Sequence, residues 1–270
     1  IKNYLFSLII NGKIDRAIAE VKSLKNKNFS DFFEAQLLLV LDGIKKKDYK
    51  TVNFYIDSLK KHEERGTFEY IISNGLEEYV YLFNNNEISK DLSNEFGNLS
   101  LINKSFQNCY LKNSKTESLF LNLVNSEEIG YSRYVFFYIN FLLSQQKFSE
   151  VENFYENIDY LNSTLLVAQS KKWTEDKNYN NFKEIFSCQN PSDIIGEFLF
   201  VIANLYSSEG FLKESDFYIN LSNYLNSKFI FNNSLSAENY NKSKNYKKSK
   251  KILKRFTKNY KIYHWYKIKK

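Results

Sequence analysis

The sequence predicts an all-α fold, a solenoid of about eight antiparallel helix pairs, and three observations carry that prediction. A short phrase, a bulky residue followed three positions on by a small or apolar one, occurs seven times: Ile14/Ala17, Tyr49/Val52, Lys115/Ser118, Phe148/Val151, Tyr179/Phe182, Leu212/Ser215 and Tyr246/Ser249. Measured on the second member, the gaps are 35, 66, 33, 31, 33 and 34 residues, and the 66 leaves room for one degenerate unit. Each phrase follows an apolar-periodic stretch and a polar turn, so each marks a helix pair within a stacked repeat.

Taken in order, the first pair is marked by Leu8, Gly12, Ile14, Ala17 and Val21. The stretches around residues 84–118 and 160–182 follow the plan loosely, and that from Asn84 to Leu99 carries a poor repeat. Pro191 begins a first helix, where its fixed φ is harmless. The clearest pair runs from Glu197 to Ser227, with Leu199, Ile202, Ala203 and Tyr206 on one face of its first helix. Gly210 supplies the turn, because it adopts a positive φ at little cost. Leu212, Ser215, Ile219 and Ser222 form one side of the second helix, and Asn226-Ser227 ends it. Leu235, Ala237 and Tyr240, then Tyr246, Ser249, Leu253 and Phe256, repeat the plan. Small residues such as Ala203, Ala237, Ser215 and Ser249 are expected where two helices approach closely. The bulky members are expected to fill the space between units.

This pattern resembles the tetratricopeptide repeat family, in whose consensus a small residue, a tyrosine, a glycine, an aromatic and an alanine follow at fixed spacing. Ala203, Tyr206, Gly210, Leu212 and Ser215 occupy those places in one unit, and Ala237, Tyr240, Lys244, Tyr246 and Ser249 in the next. The consensus proline after the second helix is missing throughout. The C-terminal half also looks like bacterial proteins known only for carrying such repeats. The resemblance implies a right-handed superhelical solenoid over residues 1–270 that serves as a scaffold, binding a protein or peptide in a concave groove. Carried over by position, the groove residues are Arg133, Phe136, Asn140 and Ser144, then Glu197, Phe200, Asn204 and Ser208, then Phe231, Ser234, Glu238 and Lys242. Asn140 and Asn204 match an asparagine that some members use to hold a peptide's terminal carboxylate. The lysine needed four residues earlier is Phe136 or Phe200 here, so that clamp is incomplete. A groove of Phe, Asn and Ser suits an extended or helical peptide with apolar anchors.

Five large residues run together at Tyr134-Val135-Phe136-Phe137-Tyr138, and five more at Tyr79-Val80-Tyr81-Leu82-Phe83. Because such a run spans more than one turn, part of each is expected to face away from the core.

Composition places the chain among ordered proteins, with 43% hydrophobic residues, 24 Phe and 21 Tyr. Its many Asn and Lys fit an AT-rich genome. With no Met, an opening at Ile1 inside a repeat-like phrase, and Tyr263-His264-Trp265-Tyr266 reading as the start of a further helix, the chain reads as truncated at both ends. No apolar run approaches the roughly 18 residues that span a bilayer. Cys109 and Cys188 fall in different units, which argues against a disulfide in a linear stack.

The net charge of +7 is uneven: residues 239–270 hold 13 of the 38 basic residues and none of the 31 acidic ones. Lys244, Lys247, Lys248, Lys250, Lys251, Lys254 and Arg255 form a basic patch interleaved with Tyr240, Tyr246 and Phe256. That patch suits nucleic-acid phosphates with base stacking, another polyanion or anionic membrane surface, or a plainly solvated face. The regular code positions of the 35-residue RNA-reading helical repeats do not recur. His62 and His264 have no ligand-spaced partners, and no nucleophile motif or phosphate loop is present. Glu127-Glu128 reads as surface charge. The sequence therefore predicts a non-enzyme without cofactor or metal.

Overall fold

The computed structural model describes residues 2–23, 32–59, 67–89, 97–125, 133–156 and 165–254. His62, Glu127, Glu128, Arg255, Phe256 and His264 lie outside them. Among the described residues every regular element is an α-helix, fifteen in all. They are α1 (Lys2–Ile10), α2 (Ile14–Ser23), α3 (Phe33–Lys46), α4 (Tyr49–Leu59), α5 (Phe68–Asn85), α6 (Asn98–Tyr110), α7 (Thr116–Val124) and α8 (Tyr134–Ser144). There follow α9 (Phe148–Glu156), α10 (Leu165–Glu175), α11 (Asn180–Ile185), α12 (Pro191–Ser208), α13 (Leu212–Leu225), α14 (Ile230–Lys242) and α15 (Tyr246–Leu253). No helix of the described residues is long and apolar enough to cross a membrane.

Among the described residues, seven tight turns join helices into pairs, and all seven have one geometry. A left-handed residue closes each: Gly12, Lys47, Lys112, Gln146, Lys177, Gly210 or Lys244. Its N–H donates to the carbonyl three residues back, and the next N–H donates to the carbonyl five back, as in Gly12 to Ile9 with Lys13 to Leu8 and Lys244 to Asn241 with Asn245 to Tyr240. This double bond pattern satisfies the carbonyls that a helix end leaves open.

Five positions past the left-handed residue a buried side chain enters the second helix in six of the pairs: Ala17, Val52, Val151, Phe182, Ser215 and Ser249. Close approach explains the small ones. The Ser249 hydroxyl donates to the Ala237 carbonyl at 2.9 Å, and a Cβ on Gly43 would lie 2.6 Å from Val52 Cγ2. Bulky members do bridge consecutive pairs at Phe148 and Tyr179, whose ring centroids are 4.9 Å apart.

The seventh pair corrects the expected register. Lys115 and Ser118 are exposed, and Thr116, Phe120 and Leu123 are buried instead. Asn113 Oδ1 accepts from the Lys115 N–H at 3.0 Å in the turn before α7, and the stripe that faces inward is the one carrying Thr116. In the expected degenerate unit, α5 is a single long helix ending at a left-handed Asn86 whose N–H reaches the Leu82 carbonyl.

The chain divides into two compact units, Ile1–Asn103 with Pro191–Ser227 and Lys104–Asn190 with Lys228–Lys270. In the first, α12 lies against α3, α5 and α13, and α13 lies against α1, α2 and α3. A strictly linear stack would place each pair against its sequence neighbours alone. Here Asn220 Nδ2 of α13 donates to the Ile10 carbonyl at 3.3 Å, 210 positions away in the chain. In the second unit α8 lies against α7, α9 and α10.

Each unit has a helix buried on all sides. Every residue from Tyr134 to Leu143 in α8, and from Pro191 to Ala203 in α12, is buried. The expectation that part of Tyr134–Tyr138 faces outward is therefore corrected. Phe106, Phe182, Phe186 and Phe231 surround Phe136 and Phe137 with ring contacts of 4.7 to 6.4 Å. A helix apolar all round requires such a position. In α5 the expectation holds at Tyr81, which is exposed while Tyr79, Val80, Leu82 and Phe83 are buried.

Cys109 and Cys188 are joined in a disulfide with Cα atoms 5.7 Å apart, which corrects the expectation that they stay separate. The segment following α11 returns to the end of α6, where Gln189 Nε2 donates to the Cys109 carbonyl at 3.2 Å. Residues two hairpins apart in sequence thereby become neighbours.

Candidate functional site

The groove positions carried over from the repeat pattern divide by depth. Phe136 is fully buried and stacks on Phe182, and Phe200 and Phe231 are also buried. These three aromatics are core side chains, because the helices that carry them are packed on several faces. Glu197 is buried in α12, while Arg133 is half-buried over the Tyr134 ring, with its guanidinium 4.6 Å from the centroid. Ser234 and Glu238 are half-buried on α14, and Ser144, Asn204, Ser208 and Lys242 are exposed.

Two of these positions meet at a cavity within the second unit. Asn140 and Ser144 of α8 line a space of about 540 Å³ together with Cys109 of α6, Lys112 just after it, Lys183 of α11, and Ser187, Cys188 and Gln189 beyond α11. Phe141 and Gln145 complete the wall. Asn140 Nδ2 donates to the Phe186 carbonyl at 2.7 Å and the Phe182 carbonyl at 3.3 Å, so this side chain pins the end of α11 against α8. The disulfide pins the same segment to α6. The lining contains two lysines and no carboxylate. Sequence reasoning missed Lys112 and Lys183. Lys112 is readable only as the left-handed residue of a recurring turn, and no signal marks Lys183.

The basic patch is exposed on α15. Lys244, Lys247, Lys248, Lys250, Lys251 and Lys254 all reach solvent, and Ser249 and Leu253 alone are buried within the helix. Tyr246 is 56% exposed beside them. Lys248 Nζ lies 5.1 Å from the Tyr240 ring centroid, a cation over an aromatic face.

Two other polar clusters are fully occupied by their own partners. Asp42 is buried on α3 and accepts from Lys22 at 2.6 Å, Lys46 at 2.9 Å and Tyr224 at 2.8 Å. Burial pushes its carboxyl up, but the three hydrogen bonds outweigh that and hold it below the usual carboxylate range. In the second unit Lys147 bridges Glu117 at 2.8 Å and Glu150 at 3.2 Å. Burial and those two carboxylates push the nearby Tyr138 phenol up to about 12. Among the described residues, no group of three or more His, Cys, Asp and Glu side chains forms a metal-binding set.

No family model matches this chain, and no curated protein or solved structure matches it.

Proposed function

We propose that the chain is a non-enzymatic scaffold of tetratricopeptide-like helix pairs that binds a protein partner. One observation carries this reading: seven helix pairs close through the same left-handed turn at residues 12, 47, 112, 146, 177, 210 and 244. A repeated supersecondary unit without repeated chemistry fits an extended binding surface better than a reaction centre. With Phe136, Phe200 and Phe231 buried, the contact surface moves to the exposed end of α12, where Asn204, Leu205 and Ser208 lie near Phe211. Leu205 and Phe211 are 38% and 54% exposed and supply the apolar anchors.

The test is crosslinked capture from the organism's own lysate, with and without nuclease and at two salt concentrations, using wild type and Leu205→Ser/Phe211→Ser. A discrete protein held by wild type and lost by the variant, at unchanged melting temperature, supports the scaffold and this surface. A partner retained by the variant removes the surface.

The exposed lysines of α15 favour a second reading, in which this helix binds nucleic acid or another polyanion. It predicts affinity that falls steeply with salt as counterions are released. Lys247→Glu, Lys248→Glu and Lys251→Glu together abolish that binding, and persistence of nuclease-sensitive capture in this triple variant argues against it.

A further inference from the structure

The cavity beside the disulfide combines two cationic side chains with one oriented acceptor. Lys112 and Lys183 enter its wall from different elements, and neither forms an ion pair with a described residue. No carboxylate of the lining offsets them. Two uncompensated ammonium groups around one concave space favour a doubly negative ligand.

Asn140 adds direction. Its side chain is buried, and both amide hydrogens are used on the Phe182 and Phe186 carbonyls. An amide has two donors, and both neighbours are obligatory acceptors, so the orientation is fixed and Oδ1 is the atom left for a ligand. That oxygen requires a donor. An ammonium donor would be repelled by the two lysines, whereas a hydroxyl meets no such cost. The volume of about 540 Å³ falls within the range of small-molecule sites.

We propose that this cavity binds a small organic dianion carrying a hydroxyl group, with Lys112 and Lys183 holding the anionic groups and Asn140 Oδ1 accepting from the hydroxyl. A phosphate monoester of a small polyol and a hydroxydicarboxylate share this chemistry. The inference is independent of the protein-partner reading, since the site and the probe both differ.

Calorimetric titration of the full chain tests it with two matched pairs, glycerol 3-phosphate against ethyl phosphate and malate against succinate. Within each pair only the first compound carries the hydroxyl. The expected result is that at least one hydroxylated dianion binds with Kd at or below about 1 mM and more tightly than its partner. Lys112→Gln/Lys183→Gln is expected to lose about tenfold or more, the scale of a lost charge-assisted hydrogen bond, at unchanged melting temperature. Binding by glycerol 3-phosphate alone assigns a phosphate ester, and binding by malate alone assigns a dicarboxylate. Absence of binding by both hydroxylated compounds at about 10 mM, far above that Kd, overturns the proposal. So does equal affinity within each pair, or wild-type affinity in the double variant.

Discussion

Gly75 of α5 faces Phe198 of α12 so closely that a Cβ at Gly75 would lie 2.5 Å from the Phe198 ring. Phe198 is itself buried and packs edge-on against Tyr79 at 5.9 Å, so it has little room to yield. Gly196, two residues away in the same helix, is different: a Cβ there meets Asn226 and Ser222 atoms at an ordinary 3.5 to 3.8 Å.

These two glycines give opposite predictions for one substitution. Gly196→Ala gains helix propensity of about 0.5–1 kcal/mol and raises the melting temperature. Gly75→Ala gains the same propensity but overpacks the α5–α12 contact by about 1–3 kcal/mol, and the melting temperature falls. Thermal melts followed by far-UV circular dichroism read both signs.

Phe136→Ala is predicted to destabilise the protein by about 3–5 kcal/mol, the cost of an emptied aromatic core site. Asn204→Ala, on the exposed end of α12, changes stability by less than about 0.5 kcal/mol. Urea unfolding of the two variants separates core from surface. A stable Phe136→Ala would contradict the burial of α8.

Asp42 predicts an acid limb of stability. Burial pushes its carboxyl up, yet folding holds it below its ordinary value, because Lys22, Lys46 and Tyr224 all donate to it. A carboxyl depressed by folding stabilises above its unfolded pKa, and that contribution is lost as pH falls through the depressed folded value. Melting temperature should therefore drop from about pH 4 downward. Asp42→Asn loses about 1–3 kcal/mol near neutrality and shows a shallower acid limb than wild type.

The disulfide predicts coupling between stability and the cavity. It closes a loop between residues 79 positions apart, worth about 4–5 kcal/mol in the chain-entropy account. Cys109→Ser/Cys188→Ser lowers the melting temperature. The same variant weakens the dianion binding proposed for the cavity, because one wall is released from the other. Calorimetry below the variant's melting temperature separates the two effects.

Much of the local structure is legible from the residues. The phrases place six of the seven second-helix core positions correctly, since a buried residue beside a tight turn recurs whenever the turn geometry recurs. The turns themselves are hard to read, because only Gly12 and Gly210 carry glycine at the left-handed position while four others carry lysine and one glutamine. Burial of α8 has a visible signal, an uncharged run of mostly large side chains from Tyr134 to Leu143, although a run that spans more than one turn is ordinarily expected to show two faces. Docking of α13 on α1 and the pairing of Cys109 with Cys188 have no local signal. They depend on where the chain returns, and periodicity is silent on that. The cavity follows the same rule: Asn140 and Ser144 are found by position in the repeat, whereas Lys112 and Lys183 become relevant only after the segment beyond α11 has come back to α6.

The interrupted first unit also constrains how the protein is made. Its central helix α12 begins at Pro191, while α3 and α5, which it covers, end before Asn103. The 87 intervening residues take roughly 4 to 17 seconds to synthesise at ordinary translation rates. Throughout that interval the nascent chain carries apolar helix faces whose cover does not yet exist. Vectorial folding from the N-terminus is therefore closed to this unit, and its completion must wait for a segment made about a third of the chain later.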